Sequence, residues 1–273
     1  MYEEHFGLKE PPFNITPNPR YIFFSKKHLE AFSNLLYGIE NRKGFIAITG
    51  EVGAGKTTIC RVLLEELKGR AKTSVILNPN LSNSELLLSI VQDFGIETAI
   101  RGKKQCFDSL NRFVLQEFQR GLNVVLIIDE AQDLKPASLE QIRLLSNLET
   151  DSHKLLQIVL VGQPELKQTL SNPSLRQLRQ RISVWYHLTT LDREETAQYI
   201  GHRLKIAGST QPLSELFDEE ALNSIFAHSQ GIPRLINVIC DRALLAAYVR
   251  GAKMINASAV AEADAELEGI SAY

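Results

Sequence analysis

The stretch Gly50-Glu51-Val52-Gly53-Ala54-Gly55-Lys56-Thr57 satisfies the pattern G-x-x-x-x-G-K-[ST] at every position. Such a loop has to join a strand to a helix, and that restricts the fold more than any other feature of the chain. Its glycines can take positive φ and turn backbone N–H groups toward one point, and a helix N-terminus behind them adds an anion-attracting field. The flanks meet the requirement. Gly44-Phe45-Ile46-Ala47-Ile48-Thr49 reads as a short buried strand, and after Thr58 the residues Ile59, Val62, Leu63 and Leu67 recur at helical spacing. In this setting Gly50, Glu51, Val52, Gly53, Ala54, Gly55, Lys56, Thr57 and Thr58 are the candidate phosphate-binding residues. Lys56 supplies a mobile charge to β- and γ-phosphates, and the Thr57 hydroxyl can ligate Mg²⁺.

Val124-Val125-Leu126-Ile127-Ile128 is a branched apolar run suited to a strand buried on both faces. Asp129-Glu130 follow directly, so two carboxylates arrive at the carboxyl end of that strand, where open α/β sheets place ligands. Downstream of the phosphate loop this reads as a Walker B element. Asp129 would orient Mg²⁺ through its water, and Glu130 would take the proton of, or position, the water that attacks a γ-phosphate. An isolated acidic pair would serve equally as a helix cap; the two motifs in this order strengthen the nucleotide reading.

The chain has 273 residues, 44% hydrophobic and 23% charged, enough for one large core or a domain with a satellite. A net charge of -2 excludes nucleic-acid binding driven by a cationic field of the whole molecule, though a local basic patch stays open. Cys60, Cys106 and Cys240 lie far apart in apolar helical contexts, as buried thiols of a reducing compartment do. The histidines show no metal-ligand spacing. No apolar run approaches the roughly 18 residues of a membrane span, and no charged leader precedes an apolar core at the N-terminus. The expectation is a soluble cytoplasmic chain.

Pro11, Pro12, Pro17 and Pro19 among Phe6, Phe13, Tyr21, Phe23 and Phe24 make residues 1–25 an irregular arm without helix, packed on the core or also lining an adenine pocket. An amphipathic helix over 27–41 carries Leu29, Phe32, Leu35, Leu36 and Ile39 on one face. A second strand follows over 73–77. Ser82-Asn83-Ser84-Glu85 is a capping box that opens a helix through Phe94, ended by Gly95. The basic stretch Arg101-Gly102-Lys103-Lys104 leads to a helix over 107–120, and further elements are expected as a helix over 136–148 and strands over 155–161 and 184–188. Alternating strands and helices argue for a parallel sheet covered on both faces. Gln163, before Pro164, is either a turn residue or a neutral hydrogen-bonding group for a γ-phosphate and its attacking water. Arg176, Arg179 and Arg181 precede the last strand; they form a solvated helix face or send one side chain to a phosphate, that of a neighbouring subunit included. Beyond residue 190 only helices follow, over 192–207, 218–229, 232–250 and 256–268. The expected domains are thus an arm (1–25), an α/β nucleotide-binding domain (26–190) and a helical lid (191–273). Gly231-Ile232-Pro233-Arg234 sets Arg234 at a rigid helix start, from which it could close over a nucleotide.

This order of motifs resembles the AAA+ ATPases. The wording of Phe6-Gly7-Leu8, Gly50-Glu51-Val52-Gly53, Asp129-Glu130-Ala131-Gln132, the run from Gln141 to Thr150, Val161-Gly162-Gln163-Pro164-Glu165-Leu166 and Tyr186-His187-Leu188 is similar to the general secretion pathway protein A (ExeA-like) ATPases, over about residues 1–268. The resemblance implies a P-loop NTPase fold, with a five-stranded parallel sheet sandwiched by helices and followed by a small all-helical lid. It also implies ATP or ADP with Mg²⁺ and a homo-oligomer whose sites lie between subunits. By the same resemblance Gln163 is sensor 1, Arg234 sensor 2, and Arg181 the arginine finger, with Arg179 next in line.

Family members assist assembly of the type II secretion pore with a B-type partner in the inner membrane, so the expected location is the cytoplasmic face of that membrane. Full-length members continue into a membrane helix and a peptidoglycan-binding region. The expectation here is a cytoplasmic ATPase region or a short homologue attached to a pilus system, reaching the membrane only through a partner or a region absent from this chain. Two other readings stay open: a DNA-targeting AAA+ ATPase of the transposition type, which the acidic net charge and the lack of a helix-turn-helix domain after the lid disfavour, and a nucleotide-gated binding module that barely hydrolyses.

Overall fold

Phe45–Gly50, Asn123–Ile128 and Leu156–Gly162, three of the apolar runs singled out above, form strands buried almost throughout. They belong to a computed structural model that describes residues 1–16, 18–97 and 102–271; Pro17 and Arg101, both named above, lie outside them. In chain order the described residues form α1 (Tyr2–His5), α2 (Lys26–Glu40), β1 (Phe45–Gly50), α3 (Lys56–Glu66), β2 (Ala71–Ile76), α4 (Asn83–Asp93) and α5 (Lys103–Gln119). Then come β3 (Asn123–Ile128), α6 (Pro136–Leu145), β4 (Leu156–Gly162), α7 (Pro164–Leu170), α8 (Arg176–Arg181) and β5 (Ile182–Leu188). The remainder is helical: α9 (Arg193–Ile206), α10 (Leu213–Leu216), α11 (Glu219–Ser229), α12 (Pro233–Val249) and α13 (Ala257–Ser271).

The chain divides into two compact units, one of Lys26–Gly50 and Ile59–Leu188, the other of Met1–Ser25, Glu51–Thr58 and Thr189–Tyr273. In the first, five parallel strands run in the order β2-β3-β4-β1-β5. Alternation sends Val124, Leu126, Ile128, Ile158 and Leu160 into one core with residues of α4 to α8. Val125, Ile127, Val159 and Val161 point to the opposite face and are equally buried. Helix α2 packs against β1, β3 and β5. The register pairs Thr49 with Gly162 and Ile128 with Leu160, so Gly50, Asp129 and Gln163 leave the sheet along one edge.

Local departures from the sequence reading have physical reasons. The buried face of α2 is His28, Ala31, Leu35, Gly38 and Ile39, and Leu29 is 56% exposed. The helix docks through its small residues: a Cβ at Gly38 would stand 2.6 Å from Ile46 Cδ1. Strand β2 ends at Ile76, where its carbonyl accepts the Asp129 N–H (2.9 Å), and Leu77 is exposed. Helix α5 starts at Lys103, ahead of the expected Phe107, behind the extended Gly102. Helix α6 stops at Leu145 instead of Leu148, because Ser146 Oγ donates to the Arg143 carbonyl (2.7 Å) and tight turns follow. The Ser82–Glu85 capping box forms as expected, and its bonds hold the Glu85 carboxyl below the ordinary carboxylate range.

In the second unit α9, α11, α12 and α13 enclose a core that includes Tyr2, Phe6, Leu8, Phe13 and Tyr21. The N-terminal segment, expected to lack helix, contains the turn α1 and a 3₁₀ turn at Pro19–Tyr21. Arg203 fastens it. From a position 6% exposed, its guanidinium donates to the Pro12 carbonyl (2.6 Å), the Asn14 carbonyl (3.0 Å) and the Tyr199 hydroxyl (2.9 Å), and lies 4.7 Å from the Tyr21 ring centroid. Burial pushes the Tyr199 hydroxyl upward, so it stays neutral and donates a hydrogen bond to Asn237 Oδ1 (2.9 Å). Among the described residues no helix is long and apolar enough to cross a membrane.

Removing Arg203 strands the buried Pro12 carbonyl and takes a donor from the Asn14 carbonyl and the buried Tyr199 hydroxyl. Arg203→Ala should lower the unfolding free energy by about 2–4 kcal/mol, whereas Arg193→Ala, which loses an exposed pair with Glu219, should cost less than about 1 kcal/mol. Urea unfolding of both variants checks this; equal losses would show that Arg203 does not anchor the segment.

Candidate active site

The phosphate loop leaves β1 at Gly50, where the backbone passes so close to its neighbour that a Cβ would meet the Leu188 carbonyl oxygen at 2.6 Å. In the loop Gly53 and Gly55 take φ of +80° and +99°, conformations that L side chains rarely adopt. The Ala54 N–H donates to the Glu51 carbonyl (3.1 Å) as the chain turns, and α3 begins at Lys56. Lys56 is buried and its Nζ donates to the Glu51 carbonyl (2.9 Å), so the amine is held within its own loop. Glycines with positive φ, a buried amine and a helix start make a donor set that fits a polyphosphate.

Arg234 lies against this loop. Its backbone N–H points at the Gly53 carbonyl (3.4 Å), and a Cβ on Gly53 would sit 2.6 Å from the Arg234 Cβ and 3.2 Å from Ile232 Cγ2. The start of α12 is locked from behind. Gly231 has φ +70°, its carbonyl accepts the Leu191 N–H (2.9 Å), and a Cβ there would fall 1.8 Å from the Leu191 carbonyl oxygen. Pro233 then sits in the first turn of the helix.

At the other strand ends, Asp129 is 5% exposed and its Oδ1 accepts the Glu130 N–H (2.9 Å). Glu130 takes the left-handed conformation (φ 49°, ψ 40°), a strained one for a non-glycine residue, and opens the 3₁₀ turn Ala131–Asp133. Its carboxylate is held by two amides. Gln132 Nε2 (2.8 Å) and Gln163 Nε2 (3.2 Å) both donate to Glu130 Oε2. Gln132 also accepts the backbone N–H of Gln163 through Oε1 (3.0 Å). Gln163 is the extended residue before α7, so it is both a pre-proline residue and a hydrogen-bonding group.

The arginines of α8 fall in different settings. Arg176 and Arg179 are exposed, while Arg181 is half-buried at the helix end, donating from Nη1 to Ser146 Oγ and Asn147 Oδ1 (both 2.6 Å). Beside them the Glu140 carboxyl is held below the ordinary range, chiefly by its bond from Arg143 and lastly by the field of Arg181. Sequence reasoning assigned no work to Gln132, Ser146 or Asn147. Gln132 stands two residues after the glutamate, a spacing that says nothing until the 3₁₀ turn folds its amide back.

Over 99% of its length the chain is 47% identical to general secretion pathway protein A of Aeromonas hydrophila, and it spans 49% of that relative. An AAA domain family matches residues 39–170. The chain is similar over nearly its whole length to about half of a general secretion pathway protein A, and its AAA domain supports an ATPase. Solved structures agree on the fold. The Aeropyrum pernix ORC2 protein superposes with a TM-score of 0.62 at 19% identity, covering 88% of this chain and 66% of that one. The RuvB branch migration motor of Thermotoga maritima gives 0.56 at 20% identity over 86% and 68%. The five-stranded parallel sheet flanked by helices and the helical C-terminal region give the chain the fold of these P-loop AAA+ structures.

The crowding at Gly53 makes a specific claim. Gly53→Ala would add a methyl group where Arg234 already stands and would strain the loop by about 1–3 kcal/mol. The variant should stay folded but lose at least tenfold in affinity for ATP, measured by titration with a fluorescent analogue; undiminished affinity would show that the loop does not need its cradle shape.

Proposed function

We propose that this AAA+ ATPase couples Mg²⁺-dependent ATP hydrolysis and self-association to assembly of a bacterial secretion complex, type II secretion or a pilus system, at the cytoplasmic face of the inner membrane. The observation that carries it is the 47% identity to a secretion pathway protein over 99% of the chain. Because the chain spans about half of that relative, the assembly role, the B-type inner-membrane partner and the homo-oligomer belong to the proposal. We take residues 26–190 as the nucleotide-binding domain, 191–273 as the lid and 1–25 as its N-terminal arm. The DNA-targeting alternative gains nothing from a net charge of -2.

In this reading the N–H groups of 50–58 cradle the phosphates and Lys56 gives up its carbonyl partner to pair with the β- and γ-phosphates. The Thr57 hydroxyl and Asp129 carboxylate would hold Mg²⁺, which when bound neutralises charge on phosphate oxygens. Glu130 accepts a proton from the attacking water as its oxygen bonds to the γ-phosphorus and the bond to the β-phosphate bridging oxygen breaks. Gln163 spans Glu130 and the γ-phosphate, and Arg234 stabilises charge from the start of α12. Arg181 acts as the finger toward a neighbouring subunit's nucleotide.

Lys56→Ala should abolish nucleotide binding, while Glu130→Gln should bind ATP normally and hydrolyse it at least about a hundredfold more slowly. Steady-state hydrolysis beside analogue binding separates the two, and normal turnover by Glu130→Gln would refute its role as base. For the assembly, the specific rate should rise with protein concentration and ignore duplex DNA. Arg181→Ala should be inactive alone and regain activity when mixed with Lys56→Ala subunits, whose intact arginine completes its sites; full activity of Arg181→Ala by itself would remove it from the finger role.

A further inference from the structure

We propose that Gln132 is a positioning residue for hydrolysis, fixing which oxygen of Glu130 meets the attacking water. The inference rests on the reading of Glu130 as the base. Hydrogen-bond chemistry fixes the orientation of the amides involved. The Gln163 backbone N–H can only donate, so the atom of Gln132 facing it at 3.0 Å is Oε1, and Nε2 must face Glu130. A carboxylate can only accept, so the Gln163 side chain presents its own Nε2 at 3.2 Å. Both amides converge on Oε2, and among the described residues none donates to Oε1. The carboxylate is therefore tied by one oxygen and offers the other.

The surroundings are shaped for this bridge. Gly162 ends β4 beside it, and a Cβ there would lie 3.0 Å from Gln132 Oε1 and 2.9 Å from Leu166 Cδ2, so a larger residue would push the amide off the Gln163 N–H. The left-handed backbone of Glu130 and the 3₁₀ turn after it bring Gln132 back over the glutamate. One side chain thus links the ends of β3 and β4, and through them the base and the sensor residue. A base whose rotamer is set before substrate arrives needs no search at the moment of reaction, and misplacement by about 1 Å costs on the order of a hundredfold. Loss of the bridge should appear in the chemical step and leave ATP affinity alone.

The test compares Gln132→Ala and Gln132→Glu with Glu130→Gln in steady-state ATP hydrolysis and in titrations with a fluorescent ATP analogue. For Gln132→Ala we expect kcat to fall about tenfold to a hundredfold, with KM, analogue affinity and unfolding midpoint unchanged, and with no further loss when it is added to Glu130→Gln. Gln132→Glu keeps the size and an oxygen for the Gln163 N–H but lacks the amide donor. It should be as slow as the alanine variant, and it covers the case in which alanine unfolds the turn. Wild-type kcat in either Gln132 variant, or a parallel loss of affinity, with Glu130→Gln inactive, would overturn the positioning role and leave Glu130 as base. Normal turnover by Glu130→Gln would instead overturn the reading beneath it.

Discussion

The parallel pairing of β1 with β4 on one side and β5 on the other is the constraint on which the site depends. Parallel strands need long crossovers, so β2 and β3 have to be laid down beyond β4 and the chain has to step back over β1 to add β5. Every strand then points the same way, and every carboxyl end meets the same edge. The loop at Gly50, the acids at Asp129 and Glu130, and Gln163 are separated by dozens of residues yet share that edge through backbone register. The chemistry is thereby placed by the most buried and least deformable part of the molecule.

Against this regular frame the irregular backbone is confined to a few positions. Glu130 holds a conformation that costs a non-glycine residue of order 1–3 kcal/mol, although a glycine would adopt it freely. Arg42 and Gln230 take the same conformation, so what sets Glu130 apart is its place at the end of β3, where its carboxylate meets Gln132 and Gln163. Gly231 shows the reverse case, since its Cβ would occupy the position of a backbone oxygen. That crowding requires glycine three positions before Arg234, where the backbone approaches Leu191 too closely for any side chain.

Much of this was legible in the sequence. The phosphate loop, the strand at 124–128 and the Ser82 capping box each carry a local signal stronger than their surroundings, and each formed where expected. What was misread depended on tertiary contact. Helix α2 turned Leu29 outward because two small residues allow a closer approach than its larger apolar ones, a choice set by Ile46 and Val184 on the sheet. The N-terminal prolines argue against any helix in residues 1–25, yet the short α1 forms there, and no pattern in the segment reveals that Arg203, nearly two hundred positions away, binds the Pro12 and Asn14 carbonyls. Gln132 was invisible for a related reason, because its two partners lie in different segments.

Arg181 illustrates how such tethers bear on the proposed oligomer. An exposed arginine samples many rotamers, and fixing it costs up to about 2 kcal/mol of side-chain entropy each time it is used. Exposed Arg176 and Arg179 would bear that cost, whereas Arg181 has one nitrogen already bound by Ser146 and Asn147. Those bonds engage Nη1 alone, and among the described residues the structure gives no partner to Nη2 or Nε. A planar fork held at one prong still has two other nitrogens to offer as paired donors, the arrangement that bidentate phosphate recognition uses. The same partners therefore serve two ends: they close the last turn of α6, and they leave Arg181 more firmly placed than Arg176 or Arg179, which is why the proposal gives it the finger role.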